Sequence, residues 1–159
     1  MRAMRRKDRQ RDEVFCLQLI DSCTNGVMAL TTGEDTPYCL PLSFVRKDKS
    51  LYFHGAKDGR KTDLLRACPK VCITFIGKDD PTYQEHSNNF TTMFASAIVT
   101  GTAYEVTETE EKIDALRILC QRFLPSAMTG DNFERALAES LKVTAVWRID
   151  MEHISGKSK

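Results

Sequence analysis

The residues best suited to chemistry lie in the stretch Leu51-Tyr52-Phe53-His54-Gly55-Ala56-Lys57-Asp58-Gly59-Arg60-Lys61-Thr62-Asp63-Leu64-Leu65. It reads as a strand that ends at His54, a turn containing glycine, and a helix that opens near Arg60. Arg60 and Lys61 then occupy the first helical turn, where backbone N–H groups lack partners and the helix dipole favours an anion. A guanidinium beside an ammonium completes the donor set of a phosphate site. Without an anion, each cation there opposes the dipole by about 0.3–1 kcal/mol, a local conflict that points to function. The loop is not the G-x-x-x-x-G-K-[ST] phosphate loop, because the helix opens Gly59-Arg60-Lys61-Thr62 with Gly55 four residues upstream of Gly59. On spacing alone, a phosphate site and a solvated basic turn both stay open.

Other reactive side chains are less pointed. His54 shares a strand face with Tyr52 and adjoins the turn; its imidazole suits proton transfer near neutral pH, and it equally suits a strand-end position without chemistry. His86 falls in the polar segment 84–89 and His153 near the end of the chain, both expected at the surface. The six cysteines, Cys16, Cys23, Cys39, Cys68, Cys72 and Cys120, are 7, 16, 29, 4 and 48 apart. No C-x-x-C occurs, so no metal site is expected, and the pattern implies free thiols buried in a reducing compartment. Asp79-Asp80 before Pro81 reads as turn chemistry.

The elements that must position these residues follow from pattern. The 159 residues, 42% of them hydrophobic, suffice for one domain with its own core, expected over 1–159 with a basic arm at 1–11 and a polar tail at 152–159. Lys+Arg is 23 against 22 for Asp+Glu, so the net charge of +1 implies no nucleic-acid partner despite the basic arm. No apolar run approaches the ~20 residues of a membrane span, and no apolar region follows the basic opening, so a cytoplasmic protein is expected. A helix is predicted from Asp12 to Asn25-Gly26, then strands over 27–32, 38–45 and 51–56 as an antiparallel meander. A short helix over 62–68 stops at Pro69, and an apolar strand over 71–76 reads as central. Residues 77–92 read as a loop and 93–106 as a long strand. Thr107-x-x-Glu110 has the form of a capping box, opening a helix that Pro125 ends. A further helix over 131–140 and a last strand over 143–151 complete the pattern. The fold class is mainly β with peripheral helices (α+β), a small barrel of about six mostly antiparallel strands.

Taken together and in order, these motifs resemble the pyridoxamine 5′-phosphate oxidase-like, FMN-binding split barrels, and within them the nitroimidazole-resistance (Nim) flavoproteins. The resemblance rests on Met4-Arg5-Arg6-Lys7-Asp8-Arg9, Gly26-Val27-Met28-Ala29-Leu30, Pro37-Tyr38 through Phe44-Val45, Tyr52-Phe53-His54-Gly55-Ala56, Gly59-Arg60-Lys61, Ser96 through Gly101, and Glu111-Lys112. It implies that Arg60 and Lys61 bind the FMN phosphate, with Gly59 and Gly55 in the turn that approaches it. It implies that Pro41, Leu42, Ser43 and Phe44 lie along the isoalloxazine, that His54 faces the flavin, and that Ser96 contributes from its own strand. Trp147 resembles a late aromatic packed near the flavin of the other subunit; a plain core aromatic is the alternative for that residue.

The resemblance further implies a homodimer with flavin at the interface. The implied activity is an FMN-dependent oxidoreductase that reduces small electron-poor aromatics such as nitroimidazoles, with reduced nicotinamide or another donor as the source of electrons. Two departures matter. Phe94-Ala95-Ser96-Ala97 stands where Nim proteins usually carry Tyr-Arg-Ser-Val, and no C-terminal extension of the kind that grips vitamin B6 follows Trp147. The alternative function is a flavin- or haem-binding split-barrel protein without turnover, with His54, His86 or a cysteine as haem ligand.

Overall fold

The computed structural model describes residues 4–159; residues 1–3 of the expected basic arm lie outside the described residues. In chain order the elements are β1 (Gln10–Arg11), α1 (Glu13–Ser22), β2 (Gly26–Leu30), β3 (Tyr38–Leu42), β4 (Val45–Lys47), β5 (Ser50–Ala56), α2 (Arg60–Ala67), β6 (Lys70–Gln84), β7 (Asn89–Glu105), α3 (Thr109–Phe123), α4 (Asn132–Ser140) and β8 (Thr144–Ser158). The sheet has eight strands, where about six were expected. Seven follow the order β3-β2-β6-β7-β8-β5-β4, and β1 pairs with β8. Every pairing is antiparallel. The end strands β3 and β4 do not pair with each other, so the barrel is split.

The split originates at Ser43-Phe44. One strand over 38–45 was expected; instead the chain leaves β3 after Leu42 and starts β4 at the opposite end of the sheet. Phe44 occupies the crossing: its ring packs in the core, edge-on to Phe53 at 5.6 Å and to Phe75 at 5.7 Å, and anchors the chain as it passes from one end of the sheet to the other. The predicted meander is therefore divided, with β2–β3 at one end and β4–β5 at the other.

Alternation along β5 and β8 builds two cores. Leu51, Phe53, Trp147 and Ile149 face the barrel interior with Met28, Leu30, Ile73, Phe75 and Val99. Tyr52 and Val146 face the other way, where α3 and α4 cover them with Leu116, Leu119 and Phe133. Helix α1 packs against β6, β7 and β8 through Cys16, Leu19 and Ile20, and burial raises the Cys16 and Cys23 thiol pKa values. Asp12 caps α1 by accepting the Phe15 N–H at 2.9 Å, as the sequence suggests. The helix ends at Ser22, short of Asn25-Gly26, because Gly26 is already the first residue of β2.

Three further expectations give way. Residues 77–92 are a β6–β7 hairpin and not a loop, paired from Lys78↔Ala95 to Gln84↔Asn89. Residues 152–158, expected as a polar tail, continue β8 and pair with β7, and Gly156 and Lys157 also pair with Arg11 and Gln10 of the basic arm. Helix α3 starts from Glu108 with no side-chain cap, so Thr107 and Glu110 form no capping box; Glu110 and Glu111 answer the dipole instead. Among the described residues no helix is long and apolar enough to cross a membrane.

Candidate functional site

The open side of the barrel presents two free backbone edges. Strand β3 is the end of the sheet, and Pro41 sits there without disturbing a ladder, as prolines on edges do. On the other side β4 pairs only with Ser50, Leu51 and Tyr52, which leaves the outer edge of β5 from Phe53 to Ala56 unpaired. Helix α2 starts four residues after β5, and its first residue reaches β3: the Arg60 guanidinium lies 4.9 Å from the centre of the Tyr38 ring. The N-terminus of α2 thus stands over the split.

Gly59 makes that placement possible. Its φ of 120° and ψ of 166° belong to a region open essentially to glycine alone. As the N-cap residue it has no side chain to offer, so the first-turn N–H groups of α2 have no side-chain cap. The helix is held from beneath, where the fully buried Thr62 hydroxyl donates to the Ala56 carbonyl at 3.3 Å.

Lys61 is the unusual cation. It is half-buried, its Nζ lies 5.0 Å from the centre of the Phe53 ring, and it folds across Gly55 so closely that a Cβ on Gly55 would collide with the ammonium. It forms no ion pair among the described residues, and burial lowers its pKa. Arg60 has only Glu34, at 3.8 Å with both side chains largely exposed. Two cations with little local neutralisation, uncapped backbone N–H groups and a glycine turn fit a phosphate monoester.

His54 is exposed on β5, on the face that also carries Tyr52. Desolvation by the surrounding protein and then the charge of Lys61 lower its pKa, so its imidazole is neutral at pH 7. Its strand is anchored from α3: the Tyr52 hydroxyl donates to Glu111 at 3.1 Å, and Arg148, the β8 partner of Tyr52, donates to the same carboxylate at 2.9 Å.

Of the expected site residues, Gly55, Gly59, Arg60 and Lys61 meet at the start of α2, and His54 lies beside Gly55 but on the Tyr52 face of β5. Pro41, Leu42 and Ser43 lie on the edge of the split at the end of β3 away from Tyr38, the residue Arg60 reaches. Three expected site residues lie elsewhere. Phe44 is a core side chain, buried between Phe53 and Phe75. Trp147 is 2% exposed and stacked on Phe53 at 6.5 Å, with its indole N–H buried and unpartnered, so it is a core residue and not a surface aromatic. Ser96 is half-buried on β7, with β6 and β2 between it and β3, about 14 Å at ordinary strand spacing. Tyr38 and Phe53, the two rings that hold the cations, were not singled out from sequence. Their signal was available, since both are aromatics on strands that flank the Arg-Lys turn.

Residues 12–158 match the family described as pyridoxamine 5′-phosphate oxidase. The chain belongs to that family. No curated protein matches it. Among solved structures, a proposed 5-nitroimidazole antibiotic resistance protein from Bacteroides thetaiotaomicron is similar over 92% of this chain and 84% of its own, with a TM-score of 0.79 and 23% identity. A flavocytochrome from Azotobacter vinelandii covers 99% of this chain and 72% of its own, with a TM-score of 0.81 and 21% identity. An FAD and haem binding protein from Mycobacterium smegmatis covers 95% and 73%, with a TM-score of 0.74 and 20% identity. At such identities the likeness establishes the split-barrel fold. The matched residues include the continuation of β8 that composition disguised.

Proposed function

We propose that this protein is an FMN-binding flavoprotein that reduces small electron-poor aromatics, with the flavin phosphate at the N-terminus of α2. The observation that carries the reading is Lys61, a half-buried, unpaired ammonium folded over Gly55 beside Arg60 and uncapped helix N–H groups. Arg60 and Lys61 would hold the phosphate, and the backbone edge of β3 at Pro41, Leu42 and Ser43 would border the ring. Bound flavin supplies electron transfer to and from small molecules. His54 takes up or releases a proton beside the split, and its lowered pKa suits an imidazole that is neutral until a developing negative charge draws a proton to it. The neighbours whose names mention flavin, haem or nitroimidazole resistance agree with the reading at the level of fold. Reduced nicotinamide or another small donor is the proposed source of electrons, as a transient substrate.

A homodimer is part of the proposal. Val27, Thr74 and Ile98 are register partners on β2, β6 and β7, with Ile76 one row further, and they face away from the barrel interior. Val27, Ile76 and Ile98 are 40%, 62% and 42% exposed, an apolar stripe suited to a second copy. The test is a visible spectrum of the purified protein with an FMN titration. Flavin bands and one FMN per chain support the reading; a haem Soret band without flavin uptake would overturn it.

A further inference from the structure

A second group of cations lies outside the split. Lys57, Lys112 and Lys142 line one cavity of about 350 Å³, together with Thr107, Thr109 and Glu105. The three lysines come from different elements: the turn after β5, the first turn of α3, and the residue two past the end of α4. None of them forms an ion pair among the described residues. Glu105, the one carboxylate lining the cavity, is already engaged by the Arg66 guanidinium at 2.9–3.2 Å. Lys112 is held in place: its Nζ donates to the Leu141 carbonyl at 2.7 Å. Burial and then the charge of Lys57 lower its pKa, and the opposing pull of Glu105 does not offset them.

Lys57 and Lys112 repel each other across the cavity that Lys142 also lines, and an anion relieves that repulsion. The lysine heads and the two threonine hydroxyls supply many donors, and α3 brings first-turn N–H groups that no side chain caps. The volume exceeds what an inorganic anion needs and falls within the range of small-molecule sites. Lys57 stands three residues before Arg60, so the cavity opens within about 11 Å of chain from the proposed flavin phosphate.

We propose that this cavity is a second phosphate site, which takes the phosphomonoester of an adenosine nucleotide. Resting on the flavoprotein reading above, the nucleotide is the electron donor, and the cavity holds the 2′-phosphate that distinguishes NADPH from NADH. Lys57 and Lys142 are exposed and their side chains form no ion pair among the described residues, so their replacement should leave the fold intact.

The experiment is calorimetric titration of wild type and the double variant Lys57→Gln/Lys142→Gln with 2′-AMP, 5′-AMP and inorganic phosphate, with FMN titrated in parallel. The expected result is that 2′-AMP binds wild type more tightly than either comparator, and at least tenfold more weakly in the variant, with FMN affinity within twofold of wild type. NADPH should bind more tightly than NADH to wild type only. Unchanged 2′-AMP affinity in the variant, or no binding to wild type, overturns the site; tighter binding of 5′-AMP overturns the assignment to the donor. If 2′-AMP binds and FMN does not, the cavity stands and the flavin reading falls.

Discussion

Substituting Gly55 by Ala tests the placement of a charge without deleting it. A Cβ at that position would occupy the space of the Lys61 Nζ, and the nearest other atom is Lys61 Cε at 3.5 Å, so the collision is with the end of a flexible side chain alone. The ammonium must swing off Gly55 and away from the Phe53 ring, 5.0 Å beneath it. The lost cation–π contact is worth about 0.5–1 kcal/mol, and replacing Gly by Ala at a compatible position returns about 0.4–1 kcal/mol, so stability should be nearly unchanged. Anion affinity should not be. A charge-assisted bond contributes about 1.5–3 kcal/mol, which corresponds to a rise of roughly 10- to 100-fold in the FMN Kd. Quenching of flavin fluorescence measures the affinity, and a thermal melt of the flavin-free protein measures the stability. Gly55→Ala with unaltered FMN affinity would refute the claim that Lys61 at this spot grips the phosphate.

Burial and Lys61 hold His54 below its ordinary value of about 6.5, so the unfolded chain takes up the proton first as the pH falls. Stability should therefore drop as pH decreases below about 6.5 and stay level above it, and His54→Gln should flatten that slope in pH-dependent melts. FMN that neutralises Lys61 should raise the His54 pKa in an NMR titration, while His54→Ala should keep FMN and lose about 10²–10⁴-fold in nitroaromatic turnover. Because the indole N–H of Trp147 has no partner, Trp147→Phe should change unfolding free energy by no more than about 1 kcal/mol, against about 3–5 kcal/mol for Trp147→Ala, in chemical denaturation. Ile98→Arg should convert a dimer into a monomer in sedimentation; an unchanged dimer would remove the β2–β6–β7 face from the interface.

The Arg-Lys turn was legible because its chemistry is local: glycine, two cations and a helix start are contiguous in sequence. The course of the chain around Phe44 was not, since nothing near residue 44 announces that its ring packs on Phe53 and Phe75, and the strand pattern runs unbroken through Ser43. The β6–β7 hairpin hides from sequence for a different reason. Beyond Gly77 it carries Asp79-Asp80-Pro81 with both faces largely exposed, so no alternation marks it, and a ribbon strand has an outer edge where Pro81 leaves no bond unmade. The continuation of β8 looked polar because only Ile154 and Gly156 turn inward among hydrophilic neighbours. Trp147 shows the limit of likeness: its alternation with Val146 and Ile149 already allowed a core position, and packing against Phe53 decided for it.

The central claim is that the chain holds its flavin by the phosphate at Arg60 and Lys61. The direct measurement compares FMN with riboflavin, which differs only in lacking that phosphate, on wild type and on Arg60→Ala/Lys61→Ala. The account predicts that wild type prefers FMN and that the double variant loses about 10²–10⁴ of that preference, from two bonds of about 1.5–3 kcal/mol each, while riboflavin affinity hardly moves. Equal affinities for FMN and riboflavin in wild type, or an undiminished preference for FMN in the variant, would contradict it.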